Sequence, residues 1–431
     1  MRIVSQTQSS VLPNEDHSLQ YMPSTRRSSF AGEQHRRRSG VIAEQQLVDW
    51  QFLLLVGVLA TMGLVMVFSA SISLSERTLD DAMFYGRNQS IFLLLGIVAA
   101  TIAWKVPLEL WERAGVVLLG IGFFLLLIVL IPGVGKNVNG AQRWIDIGFS
   151  IQPSEIFKLA VIVYLAGYFV RHGDQIRNRL SALGVPLGIT AGAAVLLLAE
   201  PDFGATVVIA STVIAMLFIA GVKLRYFLLV SATCIPLAIA LIYTSPYRRT
   251  RLLSFINPWD DPFATDFQLT QALIAIGRGS WSGVGLGNSV QKMAYLPEPH
   301  TDFVFAVLAE ETGLIGVTIV IALFALIVSR CFRIARDAER AGLLFSAHLV
   351  TGIGFWFGLQ SFINIGANVG ILPTKGITLP LFSYGGSSVI MVCAACGLVM
   401  RVYRETATHT ALELKRGVEN RRDPMQGYVH G

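Results

Sequence analysis

The chain has 431 residues, of which only 14% are charged and 53% are hydrophobic, with a formal net charge of +6. An ordinary soluble domain carries about 25% charged residues, so a string of water-soluble domains is excluded, as are disorder, a collagen-like repeat and a secreted disulfide scaffold. The composition is that of an all-α protein that crosses a membrane many times.

Residues 1–46 are rich in Ser, Gln and Arg, contain no apolar core, and read as a disordered basic tail. Arg36-Arg37-Arg38 in that tail could meet anionic lipid or nucleic acid. The reading adopted is charge that fixes topology, with no nucleic-acid partner. No cleavable signal peptide precedes the first apolar run, which then serves as a signal anchor.

A bilayer core of about 30 Å takes about 20 apolar residues per helix. Ten runs qualify: 51–71, 89–104, 114–131, 152–170, 184–199, 203–222, 226–244, 302–329, 342–366 and 384–400. Only Glu200-Pro201-Asp202 separates the fifth from the sixth. With a cytoplasmic N-terminus, the inner segments hold 23 of the 34 Lys and Arg and the outer segments 10. The positive-inside rule therefore puts both termini in the cytoplasm. The expectation is a ten-helix membrane domain over 47–404, with 245–301 as a large external loop and 405–431 as a polar, disordered cytoplasmic tail. Cys234, Cys331, Cys393 and Cys396 lie in or beside apolar runs. With no histidine at ligand spacing, Cys393-x-x-Cys396 reads as a pair of small helix-packing residues.

Half of the outer cations fall in 245–301, where Arg248, Arg249 and Arg251 follow the seventh span directly. Cations kept outside against the topogenic bias suggest an anionic ligand such as pyrophosphate, or else contact with lipid headgroups. The run from Gly277 to Gly287 follows no strand, so it is no nucleotide-binding loop; a flexible loop or tight backbone packing accounts for it. Arg143 and Trp144 sit in the polar loop before the fourth span, and Lys375 in the loop before the tenth. If these loops converge, they form a basic outward pocket. Glu155 and Lys158 are three apart and share a helix face, either as functional groups or as a structural ion pair. Asp302 opens the eighth span, where it is either a helix cap or a reactive carboxylate. Glu298 precedes it by four residues, and Glu310 and Glu311 lie two turns deeper, read as supporting the site or the fold.

The strings Asn139-Gly-Ala-Gln-Arg-Trp-Ile-Asp146, Gln152-Pro-Ser-Glu155, Glu200-Pro-Asp-Phe-Gly204, Leu296-Pro-Glu-Pro-His-Thr-Asp-Phe303, Glu310-Glu311-Thr-Gly313 and Ser383-Tyr-Gly-Gly-Ser-Ser388 stand in this order. In them the chain resembles the SEDS family of bacterial cell-wall synthesis, over about 47–404. Pro373-Thr-Lys-Gly-Ile-Thr-Leu-Pro380 is similar to the cell-division branch rather than the elongation branch. The resemblance implies a peptidoglycan glycosyltransferase that polymerises lipid II at the outer face of the cytoplasmic membrane, at the division septum. It implies Asp302 as the catalytic carboxylate, and Lys375, Arg143, Trp144, Arg248 and Glu298 as lining the substrate cavity. It leaves a divalent cation, Mg or Mn, open beside Asp302, for which the sequence offers no ligand set. The implied partners are a class B penicillin-binding protein and other divisome proteins. A lipid II flippase and a non-catalytic division scaffold are the alternative readings.

Overall fold

The computed structural model describes residues 48–138, 141–146, 148, 150–243, 255, 258–259, 267–293, 296–373 and 376–422. The N-terminal tail, Arg248 and Lys375 lie outside the described residues. Each apolar run forms a helix: α1 Trp50–Leu79, α2 Phe84–Lys105, α3 Leu108–Ile128, α4 Pro153–Asn178, α5 Gly184–Ala199, α6 Phe203–Ile219, α7 Leu224–Tyr243, then α9 Val304–Arg340, α10 Leu344–Asn368 and α11 Gly386–Arg422. Eight of the ten are long and apolar enough to cross a membrane, counting α5 with the turn at Leu180–Leu183 that leads into it, while α6 and α7 carry shorter apolar stretches. The chain is thus a multi-pass helical membrane protein.

Three elements depart from the sequence reading. The segment between α7 and α9 contains an additional helix, α8, at Phe267–Gly279. It is too short to span, and it buries Leu269, Ala272 and Ala275, spaced as one helical face. The loop before α4 folds into a three-stranded antiparallel sheet, β1 Gly135–Val138, β2 Ala141–Asp146 and β3 Ser150–Ile151. Pro153 follows within two residues, at the first turn of α4 where its missing N–H costs nothing. Finally, α11 continues to Arg422, so residues 405–422 are helical rather than disordered. Arg401 pairs with Glu405 one turn on, and Glu405 Oε1 accepts the Leu108 N–H at 3.4 Å. Arg404 stacks over the Trp104 ring at 5.3 Å.

The helices sort by what they bury. In α4, 83% of the spanning window is buried, against 17% in α2, so α4 is central and α2 peripheral. The hydrophobic effect gives no drive between helices in lipid, so close approach of small residues carries the packing. The α2–α11 pair illustrates this. Cys393 lies against Gly96, and a methyl on Gly397 would collide with the Ala100 backbone carbonyl. The cysteine pair read from the sequence as packing residues is buried here, both thiols free.

Helix α9 breaks at Gly313, whose φ of 64° is left-handed. The glycine-rich run fits against that break. Val284 and Gly285 N–H groups donate to the Glu310 and Glu311 carbonyls at 3.0 Å each. Leu314 and Ile315 N–H groups donate back to the Ser280 and Trp281 carbonyls at 2.9 and 3.2 Å. Backbone groups freed by the break are thus satisfied by a neighbouring loop, as a membrane protein requires. Methyls on Gly279 or Gly283 would strike the Ala309 or Glu311 carbonyl, so tight backbone packing is what the glycines serve.

Replacing Gly397 by Ala should destabilise the detergent-solubilised protein by about 1–3 kcal/mol through overpacking. Gly120→Ala, at a position with nothing within 4 Å, should leave the thermal midpoint unchanged or raised. Equal midpoints for the two variants would contradict the close α2–α11 contact.

Candidate functional site

Four segments meet around Asp302. The helix that follows it starts at Val304, with Phe303 as an N-cap that supplies no side-chain bond. The Ala306 N–H in the first turn is shared between the Phe303 carbonyl at 3.0 Å and Asn368 Oδ1 at 3.2 Å. The N-cap is thus Phe303 rather than Asp302, and α10 adds a side-chain acceptor to the first turn. The Asp302 carbonyl accepts from Asn364 Nδ2 at 3.1 Å and from Asn368 Nδ2 at 3.0 Å. Asn364 Nδ2 also donates to the Ile377 carbonyl at 2.6 Å, and Gln360 Nε2 to the Thr378 carbonyl at 2.8 Å. The segment after Lys375 is thereby held alongside Asp302.

Arg143 reaches the same place from β2. Its Nε donates to the Glu200 carbonyl at 3.3 Å, and Nη2 donates to the Pro201 carbonyl. A methyl placed on Gly376 would stand 3.3 Å from Asp302 Oδ2 and 3.7 Å from Arg143 Nη1. The carboxylate and the guanidinium thus both lie beside one glycine, with Trp144, half-buried, next along the strand.

The other residues singled out in the sequence are distributed around this point. Glu298 is exposed, with φ of 50°, and its Oε2 accepts from Thr301 Oγ1 at 3.0 Å. Glu155 and Lys158 form a buried pair, Nζ to Oε2 2.8 Å, and Lys158 also donates to Gln360 Oε1 at 2.8 Å. Glu310 pairs with Arg278 at 3.0 Å and takes the Ser289 hydroxyl. Glu311 pairs with Lys292 at 2.8 Å and takes the Ser69 hydroxyl at 2.7 Å. These two glutamates fasten the 280–293 loop to the break in α9.

His300 is buried, its ring 4.2 Å from Tyr85 and 5.4 Å from Tyr384, and its carbonyl accepts the Tyr384 N–H at 2.9 Å. Burial pushes its imidazole down to about 4, so it is neutral at physiological pH and acts as a spacer between the loops. Among the described residues no three carboxylate, histidine or cysteine side chains converge as a metal-binding set.

Two features escaped the sequence reading. One is the row of amides Gln360, Asn364 and Asn368, visible in principle as polar residues four apart within an apolar run. The other is Glu200, fully buried at the α5–α6 junction with neither carboxyl oxygen hydrogen-bonded. Burial, then the nearby Asp202, push its carboxyl up to about 8, against an opposing pull from Arg143. A raised folded-state pKa means stability that is full below the ordinary value near 4.5 and lost as pH rises towards 8. Glu200→Gln should therefore gain thermal midpoint over the parent progressively between pH 5 and 8. A constant difference across that range would contradict a neutral Glu200.

The family model for FtsW/RodA/SpoVE, described as cell cycle protein, matches residues 49–408. A protein of Thioalkalivibrio sulfidiphilus named probable peptidoglycan glycosyltransferase FtsW is 51% identical over 372 residues, 86% of this chain and 93% of its own. A protein of the same name from Methylococcus capsulatus is 53% identical over 344 residues, 80% of this chain and 86% of its own. Among solved structures, a peptidoglycan synthase complex described as coordinating polymerization and crosslinking contains a chain similar with a TM-score of 0.69 at 29% identity, covering 83% of this chain and 98% of that one. The rod shape determining protein RodA of Thermus thermophilus matches with a TM-score of 0.61 at 27% identity, over 83% of this chain and 97% of that one. Sequence and fold agree, and the chain belongs to the FtsW/RodA/SpoVE family, the SEDS membrane proteins.

Proposed function

We propose that this chain polymerises lipid II into glycan strands at the outer face of the cytoplasmic membrane during septal wall synthesis. Its activity is that of a peptidoglycan glycosyltransferase, the name its relatives at about half identity carry. The observation that supports the site is that Asp302 Oδ2 and Arg143 Nη1 both stand within 4 Å of where a Gly376 methyl would be.

The chemistry needs both groups. An acceptor sugar hydroxyl is too weak an acid to attack at neutral pH unaided, and a carboxylate within hydrogen-bond reach can take its proton. The leaving group is a lipid-linked pyrophosphate, on which negative charge grows as the glycosidic bond breaks. Arg143 is held by carbonyl oxygens rather than by a carboxylate, so its holders do not cancel its charge. The family resemblance adds Lys375 and Arg248, both outside the described residues, as further cations for the pyrophosphate, with Trp144 as a flat wall for sugar and Glu298 as a further lining residue. With an α-linked donor and a β-1,4 product, one direct displacement inverts the anomeric centre.

A flippase would need a path of ionisable groups through the bundle. Among the described residues, Glu155, Lys158, Glu310 and Glu311 are instead closed into local pairs. A scaffold would have no use for Asp302. The partner that fits the reading is a class B penicillin-binding protein that crosslinks the new strands, alongside other divisome proteins. A similar chain sits in a complex that coordinates polymerization with crosslinking.

Asp302→Asn should still insert in the membrane and bind lipid II, because it keeps the size of the side chain and the α10 amides hold residue 302 by its backbone carbonyl. Its polymer yield from purified lipid II should fall by about 10²–10⁴-fold, the usual worth of a general base. Glycan chains at the parental rate would remove Asp302 from the chemistry. The sidedness has its own test. A cysteine placed at the exposed Ser282 should react with a membrane-impermeant maleimide on intact spheroplasts, and one at the exposed Thr408 should not. The opposite pattern would invert the topology.

A further inference from the structure

We propose that Gln360, Asn364 and Asn368 are positioning residues for Asp302, forming an amide ladder anchored by the buried Glu155–Lys158 pair. The proposal rests on the reading of Asp302 as the base. The three residues are four apart on α10 and so share one face, and their side chains are all but inaccessible, at 0%, 2% and 1% exposure.

The ladder's orientation is set by neighbours that can only donate on one side and carbonyls that can only accept on the other. Lys158 Nζ at 2.8 Å and Trp356 Nε1 at 2.7 Å both need an acceptor, so both take Gln360 Oε1. The Gln360 amide nitrogen must then face the Thr378 carbonyl, 2.8 Å away. At the other end the Ala306 N–H takes Asn368 Oδ1 and turns the Asn368 nitrogen to the Asp302 carbonyl. Asn364 stands between, with its nitrogen divided between the Asp302 and Ile377 carbonyls. It is tied to Asn368 through its own carbonyl, which accepts at 2.9 Å.

The result is a rigid spacing between Asp302 and residues 376–378, the two borders of the gap that Arg143 faces. Both borders are loop backbone, which would otherwise shift with the loops that carry them. The charge of Lys158 is thus used to orient a neutral amide, and that orientation is passed along α10 to the base. A merely structural ladder would affect folding; a positioning ladder affects turnover.

Asn364→Asp and Gln360→Glu keep size and shape but replace a donor nitrogen with an oxygen facing carbonyl oxygens. In purified protein, kcat for lipid II polymerisation should fall on the order of 10²-fold, as expected for a base misplaced by about 1 Å. KM should stay within about twofold, since neither residue faces the substrate. Asn368→Ser, a gentler loss of the donor at 3.0 Å, should give an intermediate kcat. Parental kcat in these variants would overturn the ladder while leaving Asp302 untouched. So would loss of activity in step with thermal midpoint, or failure of all three to reach the membrane, because either makes the amides structural. Asp302→Asn, measured in parallel, separates the two claims. If it polymerises normally, the reading of the base fails, and any ladder defect must then be assigned to packing.

Discussion

A backbone carbonyl that leaves a helix inside a membrane protein has no water to turn to, and an unsatisfied one costs several kcal/mol. That constraint shapes the end of this molecule that carries Asp302. The Asp302, Ile377 and Thr378 carbonyls lie on loop or turn backbone, and the donors that satisfy them all come from one face of α10. The break in α9 obeys the same rule, with the 280–285 loop lending and borrowing backbone hydrogen bonds. The half-helix from Val304 to Thr312 is thereby held at both ends, by α10 amides at its start and by the glycine loop at its finish.

Charge is managed by the same logic. Among the described residues three buried glutamates are matched by cations: Glu155 by Lys158, Glu310 by Arg278 and Glu311 by Lys292. Leaving one such partner alone in a dry interior is strongly destabilising, so these pairs hold the segments that they join. Arg143 differs. Its guanidinium is held by two carbonyl oxygens, and the side-chain carboxyl of Glu200, one of the two residues that hold it, is pushed towards its neutral form by burial. A guanidinium held by carbonyls rather than by a carboxylate thus stands near Asp302, where pyrophosphate would leave in the proposed reaction.

Much of this was legible in the residues. The ten apolar runs became ten helices because length and lack of charge suffice to mark a span. The strings around Arg143 and Asp302 pointed to residues that the fold brings to one glycine. Other features were hidden for identifiable reasons. Helix α8 and the β1–β3 sheet are short and of mixed polarity, so no hydropathy window isolates them. Polarity after Arg401 resembled disorder, but Ala, Leu, Glu and Lys favour helix, and Arg401 with Glu405 adds a pair one turn apart. The amides of α10 went unnoticed because they carry no charge, although a polar residue every fourth position in an apolar span is the same kind of signal as a buried ion. Glu200 looked like a separator between two spans, and only its burial at their junction reveals its unusual state.

The central claim is that the gap over Gly376, between Asp302 and Arg143, is where donor and acceptor meet. Gly376 has no left-handed backbone to defend, so an alanine there leaves the chain unstrained while placing a methyl 3.3 Å from Asp302 Oδ2. The most direct measurement is the initial rate of lipid II polymerisation by purified Gly376→Ala protein at saturating substrate. The account predicts a rate at least about tenfold below the parent with an unchanged thermal midpoint, since a sub-ångström shift of reacting groups is enough for such a loss. A parental rate would contradict it, because chemistry in that gap could not ignore a methyl group within contact of its base.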